Sequence, residues 1–138
     1  MAEDTVVKEA LTEDMKKAGA ELTRRLDDAA WPVIASFWYF VPDANQWRLM
    51  LASPNLESEG PKQSYEAISK AVSTLREYFD SLEFISVVAP THDVVQTLAS
   101  AIQTGRTIDG IRLSKRMVDG HFIDDAYVYR MAPEHAAA

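Results

Sequence analysis

Two apolar runs, VIASFWYFV (33–41) and QWRLMLAS (46–53), stand on either side of the short segment PDAN (42–45). Both are rich in aromatic and β-branched residues, and a Pro-Asp turn between two such runs reads as a β-hairpin. The constraint on the fold is that neither run alternates apolar with polar residues. Ile34, Trp38, Phe40, Trp47, Leu49 and Leu51 fall on one face. Phe37, Tyr39 and Met50 fall on the other, with Arg48 among them. A hairpin that is apolar on both faces has to be covered on both, by helices or by another chain. We therefore take Phe37, Trp38, Tyr39, Trp47 and Met50 as candidates for an interface between two copies of the chain, because uncovered apolar patches mark interfaces.

The segments around the hairpin supply helices. Val7, Leu11, Met15, Ala18, Leu22, Leu26 and Ala29 recur every three or four positions, which predicts one helix over residues 5–29 that stops before Pro32. Pro61 suits the first position of a second helix. Its apolar stripe runs through Tyr65, Ile68, Val72, Leu75 and Phe79. EFISVVAP (83–90) has the length and branching of a buried strand. Thr91 is placed to cap a third helix, with Val95, Leu98 and Ile102 inward and Gly105 at its end.

The chain closes on a second hairpin, TIDGIRLSKRMVDGHFIDDAYVYRM (107–131). Asp119-Gly120 favours a tight two-residue turn. That turn sets Met117 opposite Phe122, Leu113 opposite Ala126 and Ile111 opposite Val128, all on the core face. Lys115 then meets Asp124 on that face, and Asp109 meets Arg130 near its end. Arg116 opposes Ile123, Ser114 opposes Asp125 and Arg112 opposes Tyr127 on the polar face. In a regular strand Asp124 and Asp125 point in opposite directions, so one ion held by both requires a bulge. We expect them to be structural, with Asp124 on the less solvated face.

The expected fold is α+β with α/β-like crossovers. It has a single mixed five-stranded sheet packed by three helices, in the order α-β-β-α-β-α-β-β, as one domain over 1–138 with a frayed tail from about 132. Strand 2, helix 2 and strand 3 form one parallel crossover, and strand 3, helix 3 and strand 4 a second. Ligands in such sheets bind beyond the strand carboxyl ends. That edge gathers Ser53, Asn55, Thr91, His92, Asp93 and His121 as candidate ligand-binding residues. Free amides at the start of helix 3 would favour an anion there.

Composition narrows the function. The chain has no cysteine, which excludes disulfides, thiolate metal sites and a cysteine nucleophile. No His/Asp/Glu spacing matches a metal motif, no GxSxG is present, and no glycine-rich phosphate loop exists. We therefore assign no catalytic residues, metal or cofactor, and lean towards a non-enzymatic role. Val33 to Val41, the longest apolar run, is too short to span a bilayer. The N-terminus lacks the order of a signal peptide, so a cytoplasmic protein is expected. The net charge of −7 disfavours nucleic acid. A basic group at Arg106, Arg112, Lys115 and Arg116 reads as a solvated strand face.

WRLMLASP, GPKQSYEAI and FIDDAYVYR resemble recurring segments of a family of small uncharacterised bacterial proteins of about this length. The resemblance covers most of the chain from the first hairpin onward and implies no activity, ligand or catalytic residue. Three functional readings follow. The first is a non-enzymatic interaction or regulatory domain that self-associates as a homodimer and is open to a protein partner. The second is a small-ligand-binding protein or small hydrolase using the edge near Ser53 and His92. The third is a nucleic-acid accessory protein using Arg48, Arg112 and Arg116 with Trp38 and Tyr127 as stacking groups.

Overall fold

Five strands form one mixed sheet in the order β3-β2-β1-β5-β4, flanked by three helices, in a computed structural model that describes residues 7–133. The elements run α1 (Glu13–Asp28), β1 (Ala35–Val41), β2 (Gln46–Ala52), α2 (Asn55–Val72), β3 (Ile85–Val88), α3 (Asp93–Ala99), β4 (Ile111–Val118) and β5 (His121–Met131). Two 3-10 helices, Pro42–Ala44 and Arg76–Leu82, complete the order. The α+β class and the element order expected from the sequence are borne out. The tail beyond Pro133 and the side chain of Phe79 lie outside the described residues.

Three layers result. One face of the sheet carries Trp38, Phe40, Trp47, Leu49 and Leu51 against α1 and α2. The other carries Phe37, Met50, Val128 and Met131 against Val95 and Leu98 of α3. The first hairpin is thus covered on both sides by the chain's own helices. Phe37, Trp38, Trp47 and Met50 are buried and Tyr39 is half-buried. Ile34 departs from its expected face. It precedes the first strand residue, sits in a bend, and packs with the α3 cluster.

The helix boundaries differ from the periodic reading for local reasons. The first helix starts at Glu13, not before Val7, because Thr12 caps it with its hydroxyl accepting from Met15 N. Val7 to Leu11 continue the periodicity by coincidence and run as an irregular strap across the sheet end. There Asn45 receives Glu9 N and donates to Val7 O, and Trp47 Nε1 donates to Glu9 O. The α2 helix breaks at Gly60 (φ 87°) and restarts at Pro61, as Pro at a first position suits. It ends at Val72, so Leu75 is buried from a 3-10 turn rather than a helix. The third helix closes early, at Ala99.

Sheet directions confirm one crossover and correct the other. β2 and β3 pair in parallel through α2. β4, however, pairs only with β5 at the opposite edge and runs antiparallel to it. β5 runs in the direction of β2 and β3, so β4 is antiparallel to β3 and the connection between them is not a parallel crossover. This also moves Asp109 away from Arg130. Asp109 N donates to Tyr129 O, and Arg130 turns to Asp27 of α1.

A bulge in β5 against β1, between the Phe37–Val128 and Ser36–Arg130 pairs, inserts one extra residue. It lets the consecutive Tyr129 and Arg130 both reach α1. Tyr129 Oη accepts from Trp38 Nε1 at 3.0 Å and donates to Lys16 O at 2.6 Å. Gly19 is what allows this approach. A Cβ there would lie 2.7 Å from Tyr129 Cε2 and 2.8 Å from Trp38 Nε1. Further along α1, Thr23 and Ser36 share a buried hydrogen bond of 2.7 Å. These contacts fix α1 on the sheet and so fix one wall of the groove described below.

Candidate functional site

The aspartate pair sits in a cluster of charged groups with Lys8, Arg112 and Lys115. The expected pairing across the closing hairpin holds from Ile111–Val128 to Val118–His121, with Lys115 the one position left out. Lys115 adopts φ 48°, an uncommon conformation for a residue with a side chain. The side-chain alternation resets there. Val118 and Ile123 turn inward to the α3 cluster, while Met117 and Phe122, expected on the core face, are 61% and 55% exposed.

The same irregularity brings both aspartates to one cation. Lys8 Nζ lies 2.9 Å from Asp124 Oδ2 and 2.9 Å from Asp125 Oδ2, and 4.5 Å from the centre of the Phe40 ring. The two carboxylates converge rather than diverge, and the ion they share is the chain's own lysine. Asp125 is the more buried of the two. It receives Arg112 Nε at 2.6 Å, Arg112 Nη2 at 2.8 Å and the Ser114 hydroxyl at 2.8 Å. Burial alone would raise its carboxyl, but bonds from Arg112, Lys8 and Ser114 outweigh burial and hold it far below the ordinary carboxylate range. Asp124 is lowered chiefly by Lys8, and its expected partner Lys115 stands at 3.5 Å on the exposed side. Every acceptor here is engaged by a cation or a hydroxyl, so the cluster is a clasp for the N-terminal strap.

The carboxyl edge is assembled in part. Ser53 and Asn55 follow β2, and Thr91, His92 and Asp93 follow the parallel β3, so these five share one end of the sheet. His121 opens β5, which runs parallel to β2, and it therefore lies at the opposite end. Ser53 is fully buried and its hydroxyl accepts from Asn55 N. The residue that caps α3 is His92, not Thr91. Its Nδ1 accepts from Val94 N at 3.2 Å, which occupies the amide expected to attract an anion. No hydrogen bond joins Ser53 to His92. Among the described residues no group of three His, Asp or Glu is arranged to hold a metal ion. The nucleic-acid set is also dispersed. Trp38 is buried, Arg48 binds Ser86 and Gln46, and Arg112 binds Asp125.

A concavity lies elsewhere, between the C-terminal end of α1 and the part of α2 that follows Pro61. It has a volume of about 1000 Å³. Buried Leu26 and Trp31 and half-buried Ala67 and Ala71 form its floor. Exposed Arg25, Lys62, Glu66 and Lys70 form its rim. Trp31 is held there by the way α1 ends. Ala30 takes φ 60°, Ala30 N donates to Asp27 O and Trp31 N donates to Leu26 O. This is a Schellman cap, which brings the residue after the left-handed position against the third residue from the helix end, here Trp31 against Leu26. An alanine in that conformation costs about 1–2 kcal/mol relative to glycine. The indole nitrogen of Trp31 is buried without a hydrogen-bond partner, a costly state for a donor.

Opposite, α2 is tied to the edge of the sheet by Tyr65, whose hydroxyl accepts from Val87 N at 2.9 Å. Lys62, Glu66, Lys70 and Thr74 follow at four-residue intervals and so line one side of the groove. Arg25 reaches across to Thr74 at 2.7 Å and closes one end. None of the rim residues Arg25, Lys62, Glu66 and Lys70 was singled out in the sequence, although the four-residue spacing on α2 was available to find the last three.

No family model, curated protein or solved structure matches this chain.

Proposed function

We propose that the chain is a non-enzymatic binding domain that takes a small, largely apolar ligand in the groove between α1 and α2. The observation that carries this reading is a concavity of about 1000 Å³ with an apolar floor of Leu26, Trp31, Ala67 and Ala71 and a charged rim. Small-molecule sites are concave, mostly apolar and supplied with a few polar anchors, with volumes of about 300–1,000 Å³. Nothing around the groove resembles a nucleophile held by a base. Glu66 stands between two lysines, and Ser69 and Thr74 have no histidine beside them.

The expected result is saturable binding of the neutral fluorophore N-phenyl-1-naphthylamine with quenching of tryptophan emission. Ala71→Phe fills the groove from a half-buried helical position and should abolish binding while leaving the melting temperature within a few degrees. Binding that is absent in the wild type, or unchanged in Ala71→Phe, contradicts the reading.

A second reading, self-association, is favoured by Met117 and Phe122, which oppose one another near the tip of the closing hairpin and are more than half exposed. It replaces the first hairpin as the interface, since that hairpin is covered within the chain. Sedimentation should then report a dimer that Phe122→Ser converts to monomer. A wild-type monomer at high micromolar concentration removes this reading.

A further inference from the structure

We infer that the groove selects an amphipathic anion, an apolar chain or ring system bearing one carboxylate or phosphate group. The inference rests on the reading of the groove as a ligand site and adds the chemistry of its ligand. Three cations, Arg25, Lys62 and Lys70, line the groove against one carboxylate, Glu66. This local excess of positive charge stands in a chain whose net charge is −7. Among the described residues none of the three cations has an ion-pair partner within 4 Å, whereas Lys8, Lys16, Arg24, Arg112 and Arg130 each have one.

The arrangement matches an amphiphile in length as well as charge. From Lys62 to its end at Val72, α2 runs about 15 Å at 1.5 Å per residue. An apolar body laid along Ala67, Ala71 and Leu26 leaves its anionic end within reach of the flexible lysines, which hold a carboxylate or phosphate as point charges while their stems cover the apolar body. Glu66 is the one carboxylate of the lining and lies four residues from each lysine. It therefore offers little to a cationic ligand.

Isothermal titration with dodecanoate, dodecyl phosphate, dodecanol and dodecylamine, each below its micellar concentration, tests the inference. Dodecanoate or dodecyl phosphate should bind at least tenfold more tightly than dodecanol, and the tighter of the two identifies the head group. The double variant Lys62→Gln, Lys70→Gln keeps good helix formers at exposed positions. It should lose the tenfold preference and keep the affinity for dodecanol. Equal binding of dodecanol and the anions, or tighter binding of dodecylamine, overturns the anion inference and leaves the groove as a ligand site. Binding of none of the four overturns both.

Discussion

Replacing Arg130 with methionine is expected to lower the unfolding free energy by about 3–5 kcal/mol, the cost of breaking a buried ion pair. The guanidinium is 1% exposed and all five of its N–H donors are used. Two go to the Asp27 carboxylate, and the others go to Val33 O, Thr107 O and Arg106 O. One side chain therefore joins the end of α1, the entry to β1 and the loop before β4. Methionine fills the volume but leaves one carboxylate and three carbonyls without donors. Lysine does not rescue, because its three donors cannot reproduce the planar fork. Urea denaturation of Arg130→Met and Arg130→Lys checks this. A midpoint within error of the wild type in either variant would show that the five bonds do not hold these segments together. Because Asp27 and Trp31 lie on the same turn out of α1, loss of Arg130 is also expected to weaken ligand binding in the groove.

Asp125→Asn is the second large effect, at about 2–3 kcal/mol. This lies between the values for buried and exposed pairs because Arg112 and Lys8 keep part of their surface in water. Asp124→Asn should cost less than about 1 kcal/mol, since Lys8 keeps Asp125 and Lys115 is 71% exposed. This order reverses the one the sequence suggests. The pH dependence has the same origin. Both carboxyls are lowered in the folded state, so their contribution is fully present above the unfolded carboxylate pKa, near 3.9, and is lost as pH falls through the folded values. Stability should fall from about pH 5 downward, and Asp125→Asn should flatten that slope. An unchanged slope would mean that other carboxylates carry the acid sensitivity.

The sheet was legible wherever a short stretch carries its own geometry. Asp119-Gly120 set the pairing of the closing hairpin, and both residues take positive φ, at 50° and 80°. The two-faced first hairpin demanded cover on both sides and received it from helices. Lys115 carried no signal for its left-handed conformation, so the resetting of faces that follows it, and the convergence of Asp124 and Asp125 on Lys8, could not be read. The strap was hidden because Val7 and Leu11 keep the phase of the helix that follows. The groove was invisible for a different reason. Its cap at Ala30 lacks the glycine that usually marks such an ending. Its volume depends on the distance between α1 and α2, which Gly19 and Tyr65 set through contacts far apart in sequence. The carboxyl edge was right for β2 and β3, whose parallel pairing follows from the helix between them. It was wrong for His121 because the direction of β5 depends on the strand order.

The central claim, that the groove between α1 and α2 is a ligand site, meets its most direct test in the indole N–H signals of the three tryptophans. Trp38 donates to Tyr129 Oη and Trp47 to Glu9 O, while Trp31 has no acceptor. Titration of the ¹⁵N-labelled protein with dodecanoate, with the Trp31 signal assigned from Trp31→Phe, should move that signal in a saturable way and leave the other two in place. A Trp31 signal that stays fixed, or three signals that move together, would contradict the account.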